Sequence, residues 1–217
     1  MRTSISEALR DLAVELARGA GELLLRLPPS GQVSKSSPTD LVTDADRAAE
    51  RYIVERLRRE RPEDSIVAEE GSLHEGTSGV RWVVDPLDGT VNFVYGIPHW
   101  CVSVGIEGRA RAGVIHDPCR GETFTDADRL RPSQKTSLST AMVGTGFSYS
   151  SGTRARQAEV LERVLPRVRD IRRIGSMALD LAWVACGRLD AFYEDDSNDW
   201  DISAGTALIS SAGAALR

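Results

Sequence analysis

Apolar residues recur along this chain with two different periods. Ile5, Leu9, Leu12, Leu16, Leu23 and Leu24 fall near helical spacing, which predicts an amphipathic helix over residues 4–27. Ser4 with Glu7 makes a capping-box pattern at its start, and Pro28-Pro29-Ser30-Gly31 ends it. Its polar face mixes acids and bases, which suits packing better than a membrane surface. Residues 32–43 read as a polar loop. Thr43 then has the position of an N-cap, followed by a helix that turns Ala45, Ala49, Ile53 and Leu57 inward and stops at Pro62. Ser65 to Ala68 reads as a short strand running into Glu69-Glu70-Gly71, and residues 72–79 as a mobile loop. The apolar run 81–85 reads as a buried strand that delivers Asp85 at its tip, ended by Pro86 because proline has no N–H to give a ladder. Period two returns at Trp100, Val102, Val104 and Ile106, reverses at Gly108-Arg109, and continues as strands near 112–115 and 122–125, an antiparallel meander. Beyond Pro132, strands near 141–146, 171–174 and 190–194 alternate with helices near 155–168, 176–187 and 199–212. Such alternation predicts a partly parallel α/β half. The expected organisation is therefore an α+β half over 1–131 and an α/β half over 132–217.

Composition narrows the function classes. A chain of 217 residues makes one large domain or two small ones sharing an interface. A net charge of −5 argues against a nucleic-acid binder, although bound cations can invert the sign of a local site. Cys101, Cys119 and Cys186 are scattered, with neither disulfide nor zinc spacing, and read as small buried hydrophobes in a reducing, cytoplasmic setting. No stretch is apolar enough to span a bilayer, and the N-terminus carries no signal-peptide pattern. No membrane partner is expected.

The candidate chemistry centres on residues 81–92. Asp85 and Asp88 stand three apart across a turn, Gly89 lets backbone approach a ligand, and Thr90 opens a helix whose free N–H groups would face the same point. That combination suits a hard divalent cation holding a phosphate. Taken alone, the string also fits an Asx-type turn with solvated carboxylates. Asp44 and Asp46 likewise fit a helix start, where acids complement the macrodipole. Four acidic stations nevertheless lie at element ends: Asp46, Glu69, Asp85 with Asp88, and Asp201. His74, His99 and His116 read as ordinary loop or strand residues.

The chain resembles the inositol monophosphatase family, within the superfamily that includes fructose-1,6-bisphosphatases. The resemblance rests on Trp82-Val83-Val84-Asp85-Pro86-Leu87-Asp88-Gly89-Thr90-Val91-Asn92-Phe93 and on Trp200-Asp201-Ile202-Ser203-Ala204-Gly205. Ala68-Glu69-Glu70-Gly71, the segment Ser36 to Asp46, Gly175-Ser176 and Asp190-Ala191-Phe192-Tyr193-Glu194 reinforce it, in the family's order. The resemblance implies a layered, alternating α-β sandwich of the sugar-phosphatase type with the site between its halves. It implies Mg²⁺, two to three ions: a first held by Glu69, Asp85 and the Leu87 carbonyl, a second by Asp85, Asp88 and Asp201, and a weaker third on the Glu69 side. Thr90 and Asp46 match the pair that orients and deprotonates the attacking water, and Glu69 belongs with them among the catalytic groups. Gly89, Thr90, Gly175, Ser176, Glu194 and Asp201 match substrate contacts. Glu194 alone also fits a solvated strand end. The expected activity is hydrolysis of a small polyol phosphate, inositol 1-phosphate first, in a lithium-sensitive homodimer. Histidinol-phosphate and fructose-1,6-bisphosphate are rival substrates, and 3′-phosphoadenosine 5′-phosphate is disfavoured by Val91-Asn92. A regulatory binding protein with a vestigial site is the rival from another class.

Three departures from the family pattern carry expectations of their own. Met177 stands where a small residue usually borders the substrate. The connection from Thr125 to Pro132 is short, so an interruption of the chain at Thr125–Asp126 is expected. Family members also continue with further strand and helix past the position of Arg217.

Overall fold

The buried seam of the first helix is made as much of alanine as of leucine. The computed structural model describes residues 5–28, 33–34 and 41–217. In it α1 (Ile5–Leu24) turns Leu9, Ala13, Leu16, Ala17, Ala20 and Leu24 inward, while Ile5 is exposed. The helix closes before residue 27 because Arg26 and Leu27 bond back only three residues, to Leu23 and Leu24, a tightened last turn ahead of Pro28. The expected cap at Ser4 lies outside the described residues.

The segment 32–43 is not simply a loop. β1 (Val33–Ser34) pairs antiparallel with β2 (Leu41–Val42), and Val42 is buried. α2 (Asp44–Glu60) follows, capped by Thr43 as its spacing predicts, with Ala45, Ala49, Ile53 and Leu57 buried.

A six-stranded sheet forms from β3 (Ser65–Ala68), β4 (Leu73–His74), β5 (Val80–Asp88), β6 (Cys101–Gly108), β7 (Ala112–Asp117) and β8 (Glu122–Thr125), in the order β4-β3-β5-β6-β7-β8. All neighbours are antiparallel except β3 and β5, which run parallel. The expected mobile loop at 72–79 is thus partly strand. It is also tied down, because the N–H groups of Thr77 and Ser78 both donate to the Glu63 carbonyl at 2.8 and 2.9 Å. β5 also differs from expectation, since it runs on through Pro86. From Asp85 to Asp88 it advances three residues while β6 advances two, Ser103 to Cys101. A bulge of this kind removes the ladder bond that proline cannot make. It also changes which way the carboxylates face. Residues three apart on a regular strand point to opposite sides, and one extra residue brings them back to the same side.

Short α3 (Thr90–Val94) leaves the end of β5. A three-stranded parallel sheet, β10-β9-β11, is built from β9 (Met142–Thr145), β10 (Asp170–Arg172) and β11 (Ala191–Tyr193). α4 (Ser151–Val164) starts earlier than its apolar spacing predicts, at the Ser150 cap, and stops before Pro166. Gln157 is its one buried residue, and Leu165 is 51% exposed, so the predicted apolar face of this segment is not a core face. α5 (Met177–Ala185) and α6 (Asp199–Ala212) complete the chain.

These elements stack in alternating layers. α1 and α2 cover one face of the large sheet, α5 and α6 cover the other, and α5 also meets β9 and β11. The molecule is a layered α-β sandwich. Apolar residues alternate with small or polar ones along β6, yet residues 101–106 are all buried. The polar-side positions are filled by α6, which lies on a cross-strand glycine pair, Gly105 opposite Gly113. A Cβ on Gly105 would collide with Ser203, and one on Gly113 with the Ala204 carbonyl. Gly113→Ala is therefore expected to destabilise the fold by about 1–3 kcal/mol through overpacking, read by chemical denaturation. An unchanged midpoint would show that α6 can lift without cost.

The chain is continuous at Thr125–Asp126, contrary to expectation. The Asp128 N–H donates to the Thr125 carbonyl at 3.1 Å, and the Asp126 N–H donates to Gly113 at 3.2 Å. Arg10 clamps the Asp126 carboxylate with two hydrogen bonds of 2.9 and 2.8 Å. Among the described residues, no helix is long and apolar enough to cross a membrane.

Candidate active site

Asp46 and Asp201 occupy the same position in two different helices. Each is the third residue of its helix and closes a capping box, Asp46 with Thr43 on α2 and Asp201 with Asn198 on α6. Asp46 is fully buried. Its Oδ2 accepts from the Thr43 N–H at 2.8 Å and from the Thr43 hydroxyl, while its Oδ1 accepts from the Thr90 hydroxyl at 2.9 Å. Capping and a second duty thus coexist in one side chain. The Thr90 hydroxyl also lies 3.1 Å from the Leu87 carbonyl, so its single proton has two acceptors within reach. Gly89, before it, sits at φ 100° with backbone of His99 and Gly175 against the place a Cβ would take, a conformation and a fit that need glycine.

A cavity of about 460 Å³ opens where these elements meet. Every predicted site residue except Asp46 lines it: Glu69, Asp85, Leu87, Asp88, Gly89, Thr90, Gly175, Ser176, Glu194 and Asp201. Asp46 stands behind Thr90 and reaches the cavity through that hydroxyl. Met177 borders the cavity too. Glu69 is held by its surroundings: its N–H donates to Val84 at 3.1 Å, and Glu50 of α2 accepts from the next turn's Glu70 and Ser72 N–H groups at 2.7 and 3.1 Å. Asp85 Oδ1 accepts from the Leu87 N–H at 3.0 Å. Asp88 Oδ2 accepts from the Ser176 hydroxyl at 2.6 Å and the Ala178 N–H at 2.7 Å, at the start of α5. Ser176 also caps α5, so its hydroxyl is engaged on both counts.

The carboxylates raise one another's proton affinity. Burial pushes the Asp85 carboxyl well up, and the charges of Glu69, Asp88 and Asp201 add to it. Burial pushes Asp88 up to about 6, opposed by the Ser176 hydrogen bond and aided by Asp201. Glu194 is pushed up to about 7, by burial first, with Arg173 opposing. Asp180, which the sequence reading missed, also lines the cavity, and burial beside Asp88 and Glu194 pushes it up to about 8. Its only signal in the sequence is an acid inside the apolar run of α5.

The donor set is carboxylates and a carbonyl, with no His or Cys among the lining residues. Oxygen donors under mutual repulsion fit a hard divalent cation. Among the described residues, no three such side chains are drawn together tightly enough to hold an ion as they stand. One oxygen of each is engaged by the protein, Asp85 Oδ1 by Leu87, Asp88 Oδ2 by Ser176 and Ala178, and Asp201 Oδ2 by Asn198. None of the three histidines lines the cavity. His99 is buried, with edge-on contact to Trp183, and burial pushes its imidazole down to about 4. Of the cysteines, Cys101 is buried as expected, whereas Cys119 and Cys186 are only partly so, and all three are free.

An inositol-1-monophosphatase of Mycobacterium leprae is 44% identical over 204 residues, 85% of this chain and 70% of that protein. A protein of Salmonella typhimurium named Nus factor SuhB is 38% identical, over 93% of this chain and 82% of its own. The crystal structure of extragenic suppressor protein SuhB from Bartonella henselae superposes with a TM-score of 0.88 at 37% identity, covering 95% of this chain and 85% of that one. The model of the inositol monophosphatase family matches residues 6–217. Members of that family are generally metal-dependent phosphatases that hydrolyse phosphate monoesters, and this chain belongs to the inositol monophosphatase family.

Proposed function

We propose that this chain is a Mg²⁺-dependent phosphatase of small polyol phosphates, with myo-inositol 1-phosphate as its substrate. The observation that carries this reading is the joining of a carboxylate-lined cavity to the buried Thr90–Asp46 hydrogen bond. Glu69, Asp85, Asp88, Asp201 and the Leu87 carbonyl would hold two to three Mg²⁺ ions. Bound there, the cations would supply an acidified water and neutralise charge that develops on the phosphate. The chain's own residues do the rest. Thr90 passes its hydroxyl proton to Asp46 Oδ1 as its oxygen takes a proton from the attacking water, so Asp46 ends protonated and neutral. Glu69, which lines the same cavity, would help to orient that water. The N–H groups of Gly89 and Thr90 bind phosphate oxygens, and Gly175, Ser176, Glu194 and Asp201 face the alcohol. A homodimeric state and inhibition by Li⁺ belong to the same reading.

Phosphate release from inositol 1-phosphate, histidinol-phosphate and fructose-1,6-bisphosphate, with and without Mg²⁺, tests it. The expected result is Mg²⁺-dependent release that is greatest for the inositol ester, and turnover indifferent to Mg²⁺ would sink the mechanism. A second reading, a mainly regulatory binding protein, draws on relatives named Nus factor SuhB. An intact set of mutually repelling carboxylates speaks against a vestigial site, because such a cluster is costly without a cation.

The same repulsion yields a pH prediction. The folded-state values of Asp88 and Glu194, about 6 and about 7, lie above their ordinary ones. The stability these groups contribute is present below about pH 4 and is lost as pH rises through 6 to 7. Mg²⁺ relieves that loss and competes with protons at lower pH. The rise in Tm on adding Mg²⁺ is therefore expected to be larger at pH 8 than at pH 5. Equal shifts at both would show that the cation binds elsewhere.

A further inference from the structure

Two acidic side chains that line the cavity, Asp180 and Asp196, have no part in the chemistry above, and Asp196 is taken up by the Ser148 hydroxyl. Asp180 of α5 is 1% exposed and lines the cavity, and its Oδ1 has no hydrogen-bond partner. A buried carboxyl oxygen left unpaired costs folding stability unless something from outside the protein bonds to it.

The strand end beside Asp180 is bare of side chains at two positions. β9 runs out as Gly144-Thr145-Gly146. A Cβ on Gly144 would stand 3.5 Å from Asp180 Cγ and would press on Leu189 and Phe192. A Cβ on Gly146 would occupy the space of the Glu194 carboxylate. Thr145 between them turns its hydroxyl away, donating to the Tyr193 carbonyl at 3.0 Å. Gly146 thus makes room for the Glu194 carboxylate, and Gly144 for Leu189 and Phe192, with Asp180 in ordinary contact. Arg173 acts on both carboxyl groups, which leaves this end of the cavity less negative than the Asp85 end.

We propose that Asp180 is a specificity-determining residue which, with Glu194, reads two hydroxyl groups on the alcohol part of a cyclic polyol phosphate. This rests on the substrate reading given above. Asp180 Oδ1 is closed off from solvent as it stands, so a small turn of the carboxyl brings an oxygen to a substrate hydroxyl, which donates to it without bringing charge, and a second, neighbouring hydroxyl meets Glu194. An ester without those hydroxyls leaves Oδ1 unpaired and gains nothing from Asp180.

The test is steady-state kinetics of the wild type, Asp180→Asn and Asp180→Leu with Mg²⁺. The substrates are inositol 1-phosphate, phosphoethanolamine and p-nitrophenyl phosphate. KM for inositol 1-phosphate is expected to rise about tenfold in Asp180→Leu, the effect of one lost hydrogen bond, and by less in Asp180→Asn, whose amide oxygen can still accept, with kcat within about threefold in both. Hydrolysis of p-nitrophenyl phosphate is expected to stay unchanged. The Tm of Asp180→Leu is expected to equal or exceed that of the wild type, because an unpaired oxygen is exchanged for an apolar group. Equal losses on all three esters, or a lowered Tm in both variants, would make Asp180 a structural residue and overturn the proposal. So would an unmoved KM for inositol 1-phosphate, or a loss confined to phosphoethanolamine, which would assign the carboxyl pair to an ammonium group. A wild type that hydrolyses p-nitrophenyl phosphate but not inositol 1-phosphate overturns the substrate assignment along with this one. An active wild type with unmoved variants overturns this one alone.

Discussion

Asp88→Asn is expected to lower kcat/KM for inositol 1-phosphate by about a thousandfold, or about 4 kcal/mol of transition-state stabilisation. The change is nearly isosteric. The amide oxygen can still accept from the Ser176 hydroxyl and the Ala178 N–H, so the start of α5 keeps its anchor. What disappears is one charge among Asp85, Asp88 and Asp201, and with it the attraction for a second cation. The loss should appear together with a raised Mg²⁺ requirement and an intact metal-free Tm. Activity that survives in Asp88→Asn at ordinary Mg²⁺ would remove this carboxylate from the mechanism.

Thr90→Ala is expected to cost about 10²–10⁴ in kcat, with Thr90→Ser recovering most of the loss. The serine hydroxyl can still donate to Asp46 Oδ1, whereas alanine leaves that buried oxygen without its partner. Asp46→Asn should be as damaging, and the double variant Thr90→Ala, Asp46→Asn no worse than either alone, because the two side chains work as one unit. Stability separates the pair. Asp46 also closes the α2 capping box, so its substitution should cost about 1 kcal/mol that Thr90→Ser does not. Additive kinetic losses in the double variant would mean that Thr90 and Asp46 act independently.

The strands and helices that bring the carboxylates to one cavity were largely legible in the sequence, since each acidic station stands at an element end. The sequence reading treated helix capping and site duty as competing explanations of Asp46. One Asp46 carboxylate both closes the capping box and accepts from Thr90, and Asp201 closes the same kind of box on α6. The bulge at Pro86 was not legible, because a proline in an apolar run signals a strand end unless the partner's register is known. β1 and β2 were missed for the same reason: two-residue strands carry no period and exist only through pairing. The boundary of α4 went wrong because apolar spacing was read as burial, and this helix buries only Gln157. Asp180 leaves almost no trace, since an acid in a buried helix acquires meaning only from the groups packed around it.

The glycine pair under α6 links assembly to chemistry. The trough over Gly105 and Gly113 is filled only when a helix from much later in the chain returns to it, and that helix brings Asp201. A folding intermediate with its large sheet formed but α6 undocked would bind cations weakly and hydrolyse nothing. Competence for catalysis would then be acquired in one late event, and the recovery of activity during refolding should lag behind the burial of Trp82.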